Sequence, residues 1–224
     1  APTVTITPAD LTVTIEDFTK VYDTTTEVDG AVAIVDPDSG TQLFGADEFG
    51  GVIASFDNKN AGTDKTITIT SVAIGESYSF TDEDNQSATG FTPIGGNYTI
   101  TYVNNTSSTI EKADLVLQGL SGVDKVYDAT TDATLDGTAF VIALGSDTVD
   151  LSGTGVGAFA NANVELDPDT GGPGQKVITV TGYSISGIDA ANYNLVVPET
   201  IMAAITPVTV SLTSSDISVD DKTY

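Results

Sequence analysis

The four residues Lys20-Val21-Tyr22-Asp23 return as Lys125-Val126-Tyr127-Asp128, and the last three residues, Lys222-Thr223-Tyr224, begin the phrase again. The tyrosines are 127 − 22 = 105 and 224 − 127 = 97 residues apart. Recurrence at such a period constrains the fold more than any local propensity, because it marks an array of similar domains. Other landmarks recur in the same order. Phe56-Asp57-Asn58-Lys59-Asn60-Ala61 answers to Phe159-Ala160-Asn161-Ala162-Asn163, the Lys65–Thr70 run to Lys176–Thr181, and Asn97-Tyr98 to Asn192-Tyr193. Ile6-Thr7-Pro8, Ile110-Glu111-Lys112 and Ile205-Thr206-Pro207 mark three junctions. The chain is therefore expected to hold the end of a preceding repeat (1–5), a first repeat (6–110), a second (111–206) and a truncated start of a third (207–224). Unequal spacings place an extra segment at Glu76–Thr92 in the first repeat and an extra loop at Val164–Gly174 in the second. Insertions on a shared scaffold are where array members differ in function.

Each repeat reads as strands. Leu11, Val13 and Ile15 alternate with Thr12, Thr14 and Glu16, and Ile67 and Ile69 with Thr66, Thr68 and Thr70. Ile178 and Val180, and the sets Tyr98/Ile100/Tyr102 and Tyr193/Leu195/Val197, follow the same rule. Period two with threonine outward predicts half-buried antiparallel strands. Roughly six to eight such runs in about 100 residues predict an all-β chain of two tandem immunoglobulin-like sandwiches. A β-grasp module is the alternative, but it needs a helix, and the best window, Gly45–Phe56, is rich in glycine. The junction at Ile110–Asp114 has almost no spare residues, so an elongated rod is expected.

Composition excludes several functions. The chain is 40% hydrophobic and 17% charged, enough apolar material for real cores. Seven Lys, no Arg and 32 acidic residues give 7 − 32 = −25, which argues against nucleic acid and anionic membranes as partners. The same charge suits a salty, cation-rich medium. Without His or Cys there is no His-based triad and no ordinary zinc site. No stretch is apolar enough to span a membrane, and Ala1-Pro2-Thr3 is no leader, so the targeting signal of a secreted parent is expected outside this stretch. With 32 acids, facing carboxylates arise by chance, and no enzyme is expected.

Candidate sites remain. Lys20, Tyr22, Asp23, Lys125, Tyr127, Asp128, Tyr98 and Tyr193 read as structural anchors: a tyrosine can bury its ring while its hydroxyl finds a partner, and Asp before Thr ties down a turn. Lys20, Lys65, Lys125 and Lys176 are the only lysines placed for an intramolecular Lys–Asn or Lys–Asp amide. No cofactor is required. Calcium is the candidate metal, because Asp82-Glu83-Asp84-Asn85 packs four oxygen-bearing side chains and Asp36-Pro37-Asp38 and Asp167-Pro168-Asp169 pair carboxylates. Tyr78, Phe80 and Phe91 could stack on sugars, but core packing or covering of a sheet edge is the expected use.

Taken together, Ile6-Thr7-Pro8-Ala9, Lys20–Thr26, Asn60-Ala61-Gly62, Lys65, Asn97-Tyr98 and Gly187-Ile188-Asp189-Ala190-Ala191-Asn192-Tyr193 resemble the YDG-type repeat of large bacterial surface adhesins and filamentous haemagglutinin-like proteins. The chain departs from that pattern at the glycine for which the repeat is named, which is Thr24 and Ala129 here. That departure argues against a left-handed residue at this place. The resemblance implies an extracellular module at a bacterial surface, active in cell adhesion and biofilm, with no catalytic residues. The expected function is a non-enzymatic spacer projecting a terminal binding domain. The alternative is direct binding of host or matrix ligands, mucin or polysaccharide, through the acidic insertions. The expected partners are neighbouring repeats of the same chain and such glycans, with the segment itself monomeric.

Overall fold

The computed structural model describes residues 3–81, 87–211 and 213, with the backbone alone for 78–81, 87–90 and 95. The Asp82–Asn85 cluster and the third phrase copy at Lys222–Tyr224 lie outside the described residues, as do the side chains of Tyr78 and Phe80. The chain is all-β, and Glu48–Phe56 within the window weighed for a helix is a strand. It divides into two compact units. The first is Ala1–Ala113 with two short segments from further along, Leu144–Asp147 and Ala191–Asn194. The second is Asp114–Ala143, Thr148–Ala190 and Leu195–Tyr224.

The first unit contains β1 (Ala9–Ile15), β2 (Thr19–Val21), β3 (Ala33–Val35), β4 (Glu48–Phe56), β5 (Gly62–Thr81), β6 (Ser87–Pro93), β7 (Tyr98–Tyr102) and β8 (Asn105–Glu111). One sheet has the order β3-β1-β7; the other runs β2-β8-β5-β4, with β6 paired to β5. The alternating residues turn their apolar members inward: Leu11, Val13, Ile15, Ile67, Ile69, Ile74 and Ile110 are all buried, with Phe56 among them. Two pairings are parallel rather than antiparallel. β1 lies in register with β7 from Ala9↔Tyr98 to Val13↔Tyr102, and β2 with β8 from Thr19↔Thr109 to Val21↔Glu111. Period two is common to both kinds of ladder, so alternation does not reveal a partner's direction.

The Glu76–Thr92 insertion is a hairpin. It prolongs β5, which returns as β6 in continuous register from Gly75↔Pro93 to Thr81↔Ser87. Phe91 lies over its base: a Cβ placed on Gly75 or Gly50 would come within 2.7 or 2.9 Å of its ring. An aromatic over strand glycines restores the packing that the missing side chains forgo. A polar lock holds the opposite edge. Asn105 donates to Asp17 Oδ1 at 2.8 Å and to the Ile15 carbonyl at 3.3 Å, Ser107 donates to the same Asp17, and Ser108 Oγ accepts the Phe18 amide. The hydroxyl of Ser107 and the amide of Asn105 hold the Asp17 carboxyl below its ordinary range.

The second unit holds β9 (Ala113–Val116, from Asp114 on), β10 (Gln118–Val123), β11 (Lys125–Val126), β12 (Asp132–Phe140), β13 (Asp150–Phe159), β14 (Gln175–Ser186), β15 (Tyr193–Val196, from Leu195 on) and β16 (Met202–Thr206). Six strands share one sheet in the order β10-β12-β13-β14-β16-β11. The sheet curls towards a barrel: a Cβ on Gly122 of β10 would lie 2.5 Å from the Met202 carbonyl oxygen of β16, although three strands separate them in the sheet. Phe159, Ile178, Val180, Ile201, Ala203 and Ile205 fill the concave side. The curl needs a bulge, and the β13–β14 register shifts between Gly153 and Val156. There Gly153 has φ +99° and its hydrogen faces the Gly182 carbonyl, which a Cβ would meet at 2.0 Å. The Val164–Gly174 insertion is a short closed loop with a Leu166↔Pro173 bridge, the Gly174 amide donating to the Glu165 carbonyl.

Candidate functional site

The phrase residues build the same device twice. β2 pairs in parallel with β8, and β11 with β16, so Lys20 faces Ile110 and Lys125 faces Ile205. The Tyr22 amide donates to the Glu111 carbonyl and the Tyr127 amide to the Thr206 carbonyl, both at 2.8 Å. The chain then turns. Asp23 Oδ1 accepts the Thr25 amide and Asp128 Oδ1 the Thr130 amide, each at 2.9 Å, and each also accepts that threonine's hydroxyl. The lysine closes the turn from inside. Lys20 Nζ donates to Asp23 Oδ1, the Thr25 and Glu27 carbonyls and Thr25 Oγ1 at 2.8–3.0 Å. Lys125 Nζ donates to the Thr130 and Asp132 carbonyls at 3.2 and 3.0 Å, and lies 2.7 Å from Asp128 Oδ1. Lys125, with the Thr130 amide and hydroxyl, brings the Asp128 carboxyl down to about 2. For Asp23, burial pulls upward, but the bonds from Lys20 and Thr25 together outweigh it and hold the carboxyl below its usual range.

The residue after this aspartate is left-handed in both copies: Thr24 has φ +72° and Ala129 φ +64°. The inference from residue type is overturned here. The turn demands the conformation, and two residues with a Cβ occupy the place where the repeat pattern has glycine. For a β-branched residue that geometry is an outlier. It persists because the lysine clamp fixes the turn from both sides.

A second pair of lysines anchors the next loop. Lys65, buried, donates to Asn58 Oδ1 at 2.5 Å and lies 3.1 Å from Asp57 Oδ1. Lys176, equally buried, donates to Asn161 Oδ1 and to the Asn161 and Asn163 carbonyls at 2.8–3.0 Å. These two, with Lys20 and Lys125, are the lysines weighed for amide cross-links. Asn58 Oδ1 also accepts the Asn60 amide at 3.0 Å, so its carboxamide organises the loop.

Tyr22 and Tyr193 meet within the first unit, at Asp147. Tyr22 donates to Asp147 Oδ2 at 2.6 Å and Tyr193 to the same oxygen at 2.7 Å, while Lys59 Nζ donates to Oδ1 at 2.8 Å. The Asp147 side chain is 2% exposed. The two rings pack edge to face at 5.5 Å, and the Lys59 ammonium lies 5.7 Å from the Tyr22 centroid. Tyr193 also accepts the Leu144 amide at 3.0 Å, which fixes its hydroxyl as donor to the carboxylate. Alongside, Asn192 Oδ1 accepts the Ala61 amide at 2.9 Å. Burial raises the Asp147 carboxyl, but Lys59, Tyr22 and Tyr193 donate to it and the net displacement is downward. Burial and the adjacent carboxylate push the Tyr193 hydroxyl up to about 12 and the Tyr22 hydroxyl in the same direction.

Tyr98 repeats half of this arrangement. It accepts the Phe44 amide at 2.9 Å and donates to Asp47. Burial and Asp47 raise its hydroxyl as well. Tyr127, the counterpart of Tyr22, is 38% exposed where Tyr22 is 2%. Asp47 and Asp147 are functional residues that sequence reasoning missed. The signal was present: Phe44-Gly45-Ala46-Asp47 and Leu144-Gly145-Ser146-Asp147 share Gly-x-Asp after an apolar residue, and both glycines are left-handed.

Of the carboxylates weighed for calcium, those of Asp36 and Asp167 brace their own turns. Asp36 Oδ1 accepts the Asp38 amide, and Asp167 Oδ1 accepts the Asp169 and Thr170 amides. The Thr170 and Asp169 amides hold the Asp167 carboxyl below its usual range. Among the described residues no group of three or more acidic side chains is placed to hold a metal ion. Phe91 is committed to Gly50 and Gly75.

Two stretches of the chain, 7–106 and 111–202, match the model of the YDG domain. No curated protein and no solved structure matches the chain.

Replacing Thr24 by Gly removes a strained Cβ worth about 1–2 kcal/mol against a glycine entropy cost of about 0.5–1 kcal/mol. Thr24→Gly is expected to raise the melting temperature by a few degrees, whereas Asp23→Ala lowers it. Alkaline titration tests the phenols. Their folded pKa values lie above the ordinary 10.0. Their contribution is therefore complete below pH 10 and is lost as pH rises through the folded value, about 12 for Tyr193. Melting temperature should fall steeply over that interval, and less so in Tyr193→Phe; an unchanged slope in that variant would refute the assignment.

Proposed function

The chain belongs to the YDG-domain family, and we propose that its two repeats are a non-enzymatic extracellular spacer, the stalk of a bacterial adhesin that projects a terminal binding domain. One observation carries this reading. The lysines the two repeats hold in common are spent on their own loops: the lysine-clamped turn at Lys20 and Lys125, and the buried ammonium at Lys65 and Lys176. Residues repeated for scaffolding suit a part whose task is length and regularity. The excess of negative charge keeps such a stalk soluble and separate from its neighbours. In this reading the modules are sandwich-like and stand in an elongated rod, with one residue, Lys112, between β8 and β9. Small-angle scattering tests it: a radius of gyration of about 17 Å, that of one globule of this length, would sink the rod.

A second reading has one feature in its favour. The β5–β6 hairpin is built on the first repeat in place of the Gly187-Ile188-Asp189 segment of the second, so it is dispensable to the shared scaffold. A hairpin of this kind can present a binding surface for mucin or polysaccharide. Removing residues 78–90 and closing the strands with an Asn-Gly turn keeps Phe91 over its glycines. The spacer reading expects equal, negligible retention of both proteins on immobilised mucin; saturable binding lost with the hairpin would favour the binder.

A further inference from the structure

Tyr22, Lys59 and the Asn60-Ala61 backbone come from the first repeat of the sequence, whereas Asp147, Asn192 and Tyr193 come from the second, although all lie in the first unit. They form complementary halves. One half donates: a phenol, an ammonium and the Ala61 amide. The other mainly accepts, through a carboxylate set by its own tyrosine and an asparagine carbonyl oxygen, with one long return bond from Asn192 Nδ2 to Asn60 Oδ1 at 3.5 Å. Each half has a counterpart elsewhere in the chain. Asp47 is held by Tyr98 as Asp147 is by Tyr193, and Asn97 precedes Tyr98 as Asn192 precedes Tyr193. Tyr127 follows Lys125-Val126 as Tyr22 follows Lys20-Val21, and Asn163-Val164 stands where Asn60-Ala61 stands.

Asn97 of the acceptor counterpart, and Tyr127, Asn163 and Val164 of the donor counterpart, line open hollows. Ile6, Thr7, Pro8, Gly96 and Asn97 line one of about 350 Å³ in the first unit. Tyr127, Asn163, Val164, Pro207 and Val208 line one of about 280 Å³ in the second. Among the described residues Asp47 accepts from Tyr98 alone, and nothing accepts the Tyr127 hydroxyl. The exposure of Tyr127, set against the burial of Tyr22, is that of a donor half without its acceptor half.

We propose that the Tyr127 edge and the Asp47 edge are mutually complementary docking surfaces, each fitted to another copy of this repeat. Tyr127 donates to the Asp47 carboxylate of the copy that follows it, and the Asn163-Val164 backbone meets that copy's Asn97. The pairing has a difference that the filled site predicts: Ala162 stands where Lys59 stands, so this contact has a phenol donor without the ammonium. The inference deepens the array reading above, and its test is independent of any adhesive role.

The junction sequence Ile-Thr-Pro is the same at 6–8 and 205–207. Joining Thr206 of one copy to Pro8 of a second therefore gives a native junction, with the first copy's Tyr127 facing the second copy's Asp47. Tyr127→Phe in the second copy leaves one Tyr127 to follow. Nitration by tetranitromethane, read by peptide mass spectrometry, reports its accessibility. Tyr127 should react at least about tenfold more slowly in the fusion than in the single chain, with Tyr22 slow in both. Asp47→Asn in the second copy should restore most of the reactivity while Tyr22 stays protected. Equal Tyr127 rates in fusion and single chain would overturn the proposal, as would protection that persists when both Asp47→Asn and Asp47→Ala are introduced. The spacer reading stands or falls on scattering and mucin retention, so the two failures are distinguishable.

Discussion

A carboxylate withdrawn from water is costly unless every lone pair is answered, and Asp147 is answered by two phenols and an ammonium. Much of the first unit is organised around that requirement. Tyr193 can donate because the Leu144 amide already occupies its lone pair. Tyr22 reaches the carboxylate because its own amide is tied to the Glu111 carbonyl and the chain turns away immediately afterwards. Lys59 is delivered by a loop that Lys65 holds from beneath through Asn58. The cluster thus depends on the lysine-clamped turn on one side and the buried-lysine loop on the other. Neutral donors next to one ammonium hold the carboxylate ionised without adding a second cation.

What recurs in the sequence was legible. The period, the phrase, the Phe-x-Asn loop and the Asn-Tyr step all mark positions where a side chain does the same job twice, and alternation identified the buried faces of β1, β5 and β14. Strand direction was not legible. Leu11, Val13 and Ile15 alternate in the same way whether β7 runs with them or against them, and the parallel partner lies some ninety residues away. Asp47 and Asp147 were hidden differently: among 32 acidic residues, two that accept phenols look like the rest until their tyrosines are placed beside them. The left-handed residue was misread for a third reason. Thr24 and Ala129 disfavour positive φ on their own, but the bonds of Lys20 and Lys125 to the carbonyls just beyond the turn set the backbone irrespective of the residue there. Tertiary bonds overrode local preference.

The two insertions show what the scaffold leaves unconstrained. One extends a strand pair as a hairpin, and the other closes a small loop between the Phe159 loop and β14. Among the described residues, neither is hydrogen-bonded to the clamped turn or to the buried lysine. Variation therefore falls where the backbone bonds are local to the insertion, and the shared bonds stay intact.

The use of cations explains the character of the surface. Lys20, Lys59, Lys65, Lys125 and Lys176 all direct their ammonium groups to acceptors within the chain. Five of seven positive charges are thereby committed to internal bonds, which leaves few cations to offset the 32 acids. Two such surfaces repel at low salt and approach only when screened. A contact between them built on lysine–carboxylate pairs would require cations the chain has already used. A phenol carries no charge, loses little entropy on ordering, and donates a strong hydrogen bond to a carboxylate. Tyrosine is therefore the recognition group this composition leaves available, and in the one filled instance it approaches a carboxylate that its own repeat has already oriented.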